Sequence, residues 1–407
     1  MSGPVGAEPP PPRSRGPFRW IAFVLAVTAF GAGIPTPLYA TYEARYGFGA
    51  GVLGLVFGTY TIGVLVTMFL VAPRSDLVGR RPILLVGMVL TALSGVVFVA
   101  VNGVIVLALA RVASGLAVGA TTSTATAAMA RLEPGLDQHH VARVSVAANF
   151  GGVAAGVLAS GLLVAYVPYP TTVVYVVLIA LSVVGALAVL VVPETVQLST
   201  VRRRLAPPAL HIPPEIRRSF WIAALALASC YSIYGFFGAL APTFVRVALG
   251  FGGTVATALV VATMFAFAAI VQLFTPQVRD RRALLFGFPL LVVALSIFAL
   301  ALLFASIVVL VLAAALLGIA VGLAFMGSVT LIDRIAPDRW RGEILSAFYI
   351  AGYTALAVPT VGVAFASERV GLGAAAAAFG ITLGLFAVVG WVATWRTPTP
   401  PGGGGRP

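Results

Sequence analysis

The sequence predicts an all-α integral membrane protein, with twelve transmembrane helices arranged as two pseudo-symmetric six-helix bundles. Composition is the first ground. Of 407 residues 60% are hydrophobic and 9% charged, and mean hydropathy is +1.06. A soluble domain carries roughly 25% charged residues, so this chain lacks the polar groups to cover a surface facing water. The second ground is pattern: apolar runs of about twenty residues, the length needed to cross a bilayer core, recur from Arg19 to Trp395. They are continuous rather than alternating, which points to helices and not to an outer-membrane barrel. The third is an internal repeat at a nearly fixed offset.

Residues 1–18, rich in Pro and Gly, are expected to form a disordered tail. The N-terminal bundle, 19–192, holds spans 1 to 6 at 19–42, 50–73, 82–102, 104–130, 142–166 and 171–192. Span 1 is not read as a cleaved signal peptide, since it is too long, has no clear small-residue cleavage site and is followed by eleven more spans. A polar central loop, 193–218, leads to the C-terminal bundle, 219–395, with spans 7 to 12 at 219–245, 252–275, 283–304, 306–332, 344–366 and 372–395. Residues 396–407 form a second Pro/Gly-rich tail.

All 25 basic residues are arginine. On this topology 21 lie on the side of the two termini, against Arg45, Arg246 and Arg369 on the other, with Arg111 inside. The positive-inside rule then places both termini in the cytoplasm, and the formal charge of +13 reports orientation rather than a nucleic-acid partner. The single cysteine, Cys230, falls in mid-span and is expected to pack.

The two halves share short matches in register. SGLAVG at 114–119 answers LGIAVG at 317–322, RLEP at 131–134 answers RIAP at 334–337, and GFG recurs at 250–252, all shifted by 203. FRWIA at 18–22 answers SFWIA at 219–223. A parallel repeat of two six-helix units is a transporter plan. Between spans 2 and 3 lies SDLVGRRP. Gly79 permits a tight turn there, Pro82 suits the first turn of a helix, and Arg80 and Arg81 resist entry into the bilayer. Read alone, this is a charged turn that fixes topology. Its pattern also resembles the loop signature of the major facilitator superfamily, G-x-L-x-D-R-x-G-R-R, with Asp76, Gly79, Arg80 and Arg81 in place. Ala72, Arg74 and Leu77 depart from it. The resemblance covers nearly the whole chain and implies that Asp76 latches the N-terminal half to the start of span 11, near Gly342–Ile344.

Charge inside a membrane is costly and defaults to a functional role. Arg111 opens RVASGLAVG, similar to the family's helix 4 signature, with Gly115, Gly119, Thr122 and Thr126 on one face. The alternative is a structural or snorkelling arginine. In span 5, Ser145, Asn149, Gly152, Gly156 and Ser160 share a stripe, and Gly152, Gly156 and Gly161 resemble the antiporter signature G-x-x-x-G-P-x-x-G-G, with Val157 at the proline position. A plain small-residue seam is the competing reading. Span 1 offers Tyr39 and Tyr42 after a bend at IPTPLY. Tyr60, Tyr231, Tyr234, Phe265, Met326, Tyr349 and Tyr353 lie on spans expected, by resemblance, to wall or flank a central path. Taken singly each aromatic could be packing or lipid-facing. Together they suggest an adaptable, largely uncharged cavity.

No Asp or Glu falls deep in a span. Cations would want such a counter-charge, so neutral or anionic substrates fit better. The expectation is a monomeric secondary transporter of the bacterial inner membrane that works by alternating access. By resemblance to drug-efflux members it would export small amphipathic or drug-like compounds in exchange for protons. Proton-coupled uptake of a sugar or organic acid is the alternative. His139, His140 and His211 lie in loops without acidic groups at ligand spacing, and there is no lysine for a phosphate-cradling loop. No cofactor, metal, nucleic-acid partner, enzyme chemistry or ATP-driven transport is therefore expected.

Overall fold

In the bilayer every backbone polar group must be satisfied internally, and the chain does so with helices. The computed structural model describes residues 15–70, 78–133, 135, 137–196, 212–248, 250, 253–275, 280–337 and 339–397. Asp76, residues 197–211 of the central loop, and residues 1–14 and 398–407 of the tails lie outside the described residues.

Among the described residues twelve helices are long and apolar enough to cross a membrane. They run Arg15–Tyr46, Ala50–Leu70, Arg80–Val99, Val104–Leu132, His140–Tyr166, Pro170–Val191, Pro214–Ala239, Thr254–Phe274, Arg281–Ala301, Ile307–Ile335, Arg341–Val370 and Leu372–Arg396. Span 1 starts earlier than expected, because Arg15–Phe18 continue the helix into the polar region. It breaks at Ile34, where Pro35 and Pro37 supply no backbone N–H, and resumes over Pro35–Tyr46. Span 7 ends at Ala239, ahead of Pro242, and a separate helix covers Ala241–Ala248. The continuous span expected over 219–245 therefore runs across a break.

Contacts between helices repeat the sequence offset. Span 1 packs on span 5 as span 7 packs on span 11, 2 on 4 as 8 on 10, 3 on 4 as 9 on 10, and 3 on 6 as 9 on 12. The bundles meet along two equivalent seams, span 5 against span 8 and span 11 against span 2. Lipid is as apolar as leucine, so close packing rather than water exclusion holds such helices together, and small residues mark the contacts. Gly115 and Gly119 press against the backbone of span 2, and their counterparts Gly318 and Gly322 against span 8. Gly33 meets the carbonyl of Val153, and Gly235 that of Leu356, equivalent places shifted by 202 and 203 residues. Gly152 and Gly156 pack on Ala26 and Phe30 of span 1, whereas Gly161 faces Ala258 across the span 5–8 seam.

The helix ends on the side of the termini, the terminal face, are tied alike in both halves. Arg81 donates to the carbonyl of Leu190 at the end of span 6, and Arg281 to that of Trp395 at the end of span 12 (3.0 Å). Cations beside helix C-termini offset the orphan carbonyls there. Cys230 is fully buried, its Sγ 3.5 Å from the carbonyl of Val321.

Candidate functional site

Span 4 begins at Val104 on the face opposite the termini, the far face, so Arg111 lies about 10 Å deep. It is 2% exposed. Its guanidinium carbon stands 4.7 Å from the ring centroid of Tyr60, 5.0 Å from Phe57 and 5.9 Å from Tyr39. Among the described residues no carboxylate pairs with it. Its Nη1 donates a long bond, 3.4 Å, to the carbonyl of Ala32 beside the break in span 1, and its Nε has no partner. Three ring faces thus serve as the main counterpart of a buried cation. Each such contact stabilises by about 0.5–2 kcal/mol, more when desolvated.

A second group of rings lies where the bundles meet. Phe150 of span 5 projects among three rings of the other half: Tyr234 at 5.2 Å, Phe325 at 5.6 Å and Phe265 at 6.4 Å between centroids. Tyr234 stacks on Phe265 at 5.3 Å and lies 5.9 Å from Tyr231, which meets Tyr353 edge-on at 5.0 Å. The hydroxyls of Tyr39 and Tyr234 are buried without a hydrogen-bond partner.

The structure thus brings Tyr39 and Tyr60 to Arg111, gathers Tyr234 and Phe265 around Phe150, and sets Tyr231 and Tyr353 in line behind Tyr234. Asn149 and Met326 are half-buried neighbours in sequence of Phe150 and Phe325. Tyr349 meets its neighbour Phe348 edge-on at 5.3 Å. Thr122 accepts at its carbonyl from Thr126 (3.0 Å), and its own hydroxyl is buried and unpartnered. Tyr42 turns elsewhere. Its hydroxyl is 3.5 Å from that of Tyr175 on span 6, in a stack with Tyr46 and near the Phe98–Tyr175 pair. Phe57 and Phe150 were not singled out from the sequence. The i, i+3 spacing of Phe57 with Tyr60, and the position of Phe150 between Asn149 and the glycine stripe, were the available signals.

At the terminal face, Gly79 adopts φ 101°, a backbone that favours glycine. This turn brings the backbone N–H groups of Arg80 and Arg81 to the carboxylate of Glu194, at 3.1 and 3.0 Å. Arg80 also donates to the carbonyl of Ala127 on span 4, at 2.7 Å. Gly79, Arg80 and Arg81 are therefore bound into the N-terminal bundle, with Glu194 capping span 3.

Hydrogen bonds and ion pairs between described residues of different halves gather between the midplane and the far face. Thr36 donates to the carbonyl of Gly238 (2.9 Å), and the backbone N–H of Gly51 to Glu368 (2.8 Å). The Glu43 carboxylate receives Thr243 at 3.4 Å and Arg246 at 3.5 Å.

A family model described as Major Facilitator Superfamily matches residues 21–360, from span 1 well into span 11. The chain belongs to that superfamily. As a major facilitator it is a membrane transporter with a small-molecule substrate, and the paired bundles are the two halves of that fold. No curated protein matches the chain. The ring group around Phe150 draws on both halves of that fold, and the rings around Arg111 on the N-terminal half.

Proposed function

We propose that this transporter exports small amphipathic, drug-like compounds, neutral or anionic, by rocking its two bundles about the midplane in exchange for protons. The observation that carries the reading is Arg111, a buried cation that faces three aromatic rings and no carboxylate. The described acidic residues all stand at or near helix ends, so a cationic compound at midplane would meet Arg111 and no counter-charge. Flat apolar rings grip compounds of varied shape with few obligatory hydrogen bonds, which suits a broad substrate range.

The arginine-rich terminal face is read as cytoplasmic in a bacterial inner membrane, and the protein as a monomer. On that orientation the polar contacts at the far face keep the outer gate shut, the state in which a compound would be loaded from inside. Gly79, Arg80 and Arg81 give the N-terminal bundle a rigid edge at the inner face, and Asp76 is the residue expected to engage span 11 from it.

The test is accumulation of neutral, anionic and cationic dyes and antibiotics in a pump-deficient bacterium expressing the chain or Arg111→Ala, with and without an uncoupler. Export predicts lower accumulation of neutral or anionic compounds, lost with Arg111→Ala and with the uncoupler. Unchanged accumulation of every compound, with membrane expression verified, would overturn the reading in favour of metabolite uptake.

A further inference from the structure

The polar contacts at the far face differ between places the repeat makes equivalent. On the span 2–11 seam, Glu368 accepts from the N–H of Gly51 in the first turn of span 2. Side chains at 49 and 51 would crowd that carboxylate: a Cβ on Gly49 would come within 2.5 Å of one oxygen, and one on Gly51 within 3.0 Å of the other. The two glycines form its cradle. Shifted by 203, the same place on the span 5–8 seam pairs Thr254 with Ala165. The packing is equivalent, since Gly54 faces Ala364 on one seam as Ala258 faces Gly161 on the other. Yet Gly253 at the start of span 8 has no side chain to cap it, and among the described residues no side chain of span 5 bonds there as Glu368 does on span 2. The second carboxylate of the far face, Glu43, is 10% exposed and bridges to Thr243 and Arg246 of the other half.

We infer that Glu43 and Glu368 are the latch that holds the far gate shut, and that the latch is one-sided, with the span 5–8 seam left unfastened. Each bond joins groups of opposite bundles, so each is lost when the far ends part. Such contacts bias the closed state over the open one, whereas a bond within one bundle persists in both. The inference rests on the chain working by alternation of its two halves, and on neither the substrate nor the direction of transport.

Spin labels at Ala44→Cys and Val370→Cys, exposed positions at the far ends of the two halves, report gate opening by pulsed dipolar distances in liposomes, with Cys230→Ala removing the native thiol. Glu43→Gln with Glu368→Gln is expected to raise the ratio of long to short distances about five- to thirtyfold, as for loss of one or two charge-assisted hydrogen bonds. Adding Ala165→Glu, which sets a carboxylate before the uncapped start of span 8, is expected to reverse much of that rise. Each single Gln variant should show part of the effect, which keeps the test available if the double variant does not fold. An unchanged distance distribution, or one altered only together with loss of a monodisperse protein, would overturn the latch. If Ala165→Glu leaves the raised ratio unaltered, the one-sided assignment is overturned. No substrate is added, so a failed accumulation assay and a failed latch are told apart.

Discussion

Replacing Gly152 with alanine adds a methyl group 2.5 Å from the carbonyl oxygen of Ala26 and 2.9 Å from the β-carbon of Ala29. Ordinary van der Waals contact begins at 3.4 Å, so spans 1 and 5 must separate by roughly 0.9 Å or tilt. The atoms it meets are backbone and a β-carbon, with no flexible end to swing aside. Overpacking of this kind costs about 1–3 kcal/mol. It acts against the gain of up to about 1 kcal/mol that alanine brings to a helix interior. Gly362→Ala is the control: it carries the same propensity gain and meets nothing within 4 Å. Thermal unfolding of both variants in detergent, followed by the fraction remaining monodisperse, separates the two effects. The midpoint should fall by a few degrees for Gly152→Ala and hold or rise slightly for Gly362→Ala. Equal midpoints would refute the claim that close backbone approach, rather than generic helix content, makes glycine necessary on span 5.

Two further outcomes follow from the ring contacts and the helix ends. Phe150→Ala removes the ring that the N-terminal half inserts among Tyr234, Phe265 and Phe325. It should lower stability by about 3 kcal/mol or more, and in the accumulation assay should change which compounds respond, whereas Phe150→Leu should restore most of the thermal midpoint. Arg281→Gln shortens the side chain and removes the charge that meets the last carbonyls of span 12. The expected loss is about 0.5–1 kcal/mol, seen as a small fall in midpoint; a larger fall than for Phe150→Ala would contradict this ranking.

Twelve spans, the division into halves and the burial of Arg111 were legible because each rests on a strong signal: run length, a repeat in register, and a charge in an apolar run. Which way an individual ring faces was much less so. Tyr42 lies on the short Pro35–Tyr46 helix beyond the break in span 1, too brief for periodicity to give it a face, and the partner Tyr175 on span 6 decides it. The end of span 7 is not legible in the sequence, because ALAP is apolar throughout and the break at Leu240 is a backbone event with no change in hydropathy. In sequence Glu368 is an ordinary acid of a last helical turn. Its meaning lies in Gly51, 317 residues away in sequence, a separation that local pattern does not reach.

The ion pair between Glu43 and Arg246 joins positions exactly one repeat apart, a shift of 203. Points related by a two-fold rotation come together only beside its axis, so this pair marks where the pseudo-axis leaves the far face. In a molecule of two identical halves that spot would face each residue with its own copy. Two carboxylates at such a distance repel by about 4 kcal/mol at a surface-like dielectric, and two guanidiniums likewise. Attraction there is open only to halves that differ. The bond is thus a chemical record of inequality at the one place where perfect symmetry would be self-defeating, and it makes the N-terminal half a mate for the C-terminal half rather than for a second copy of itself.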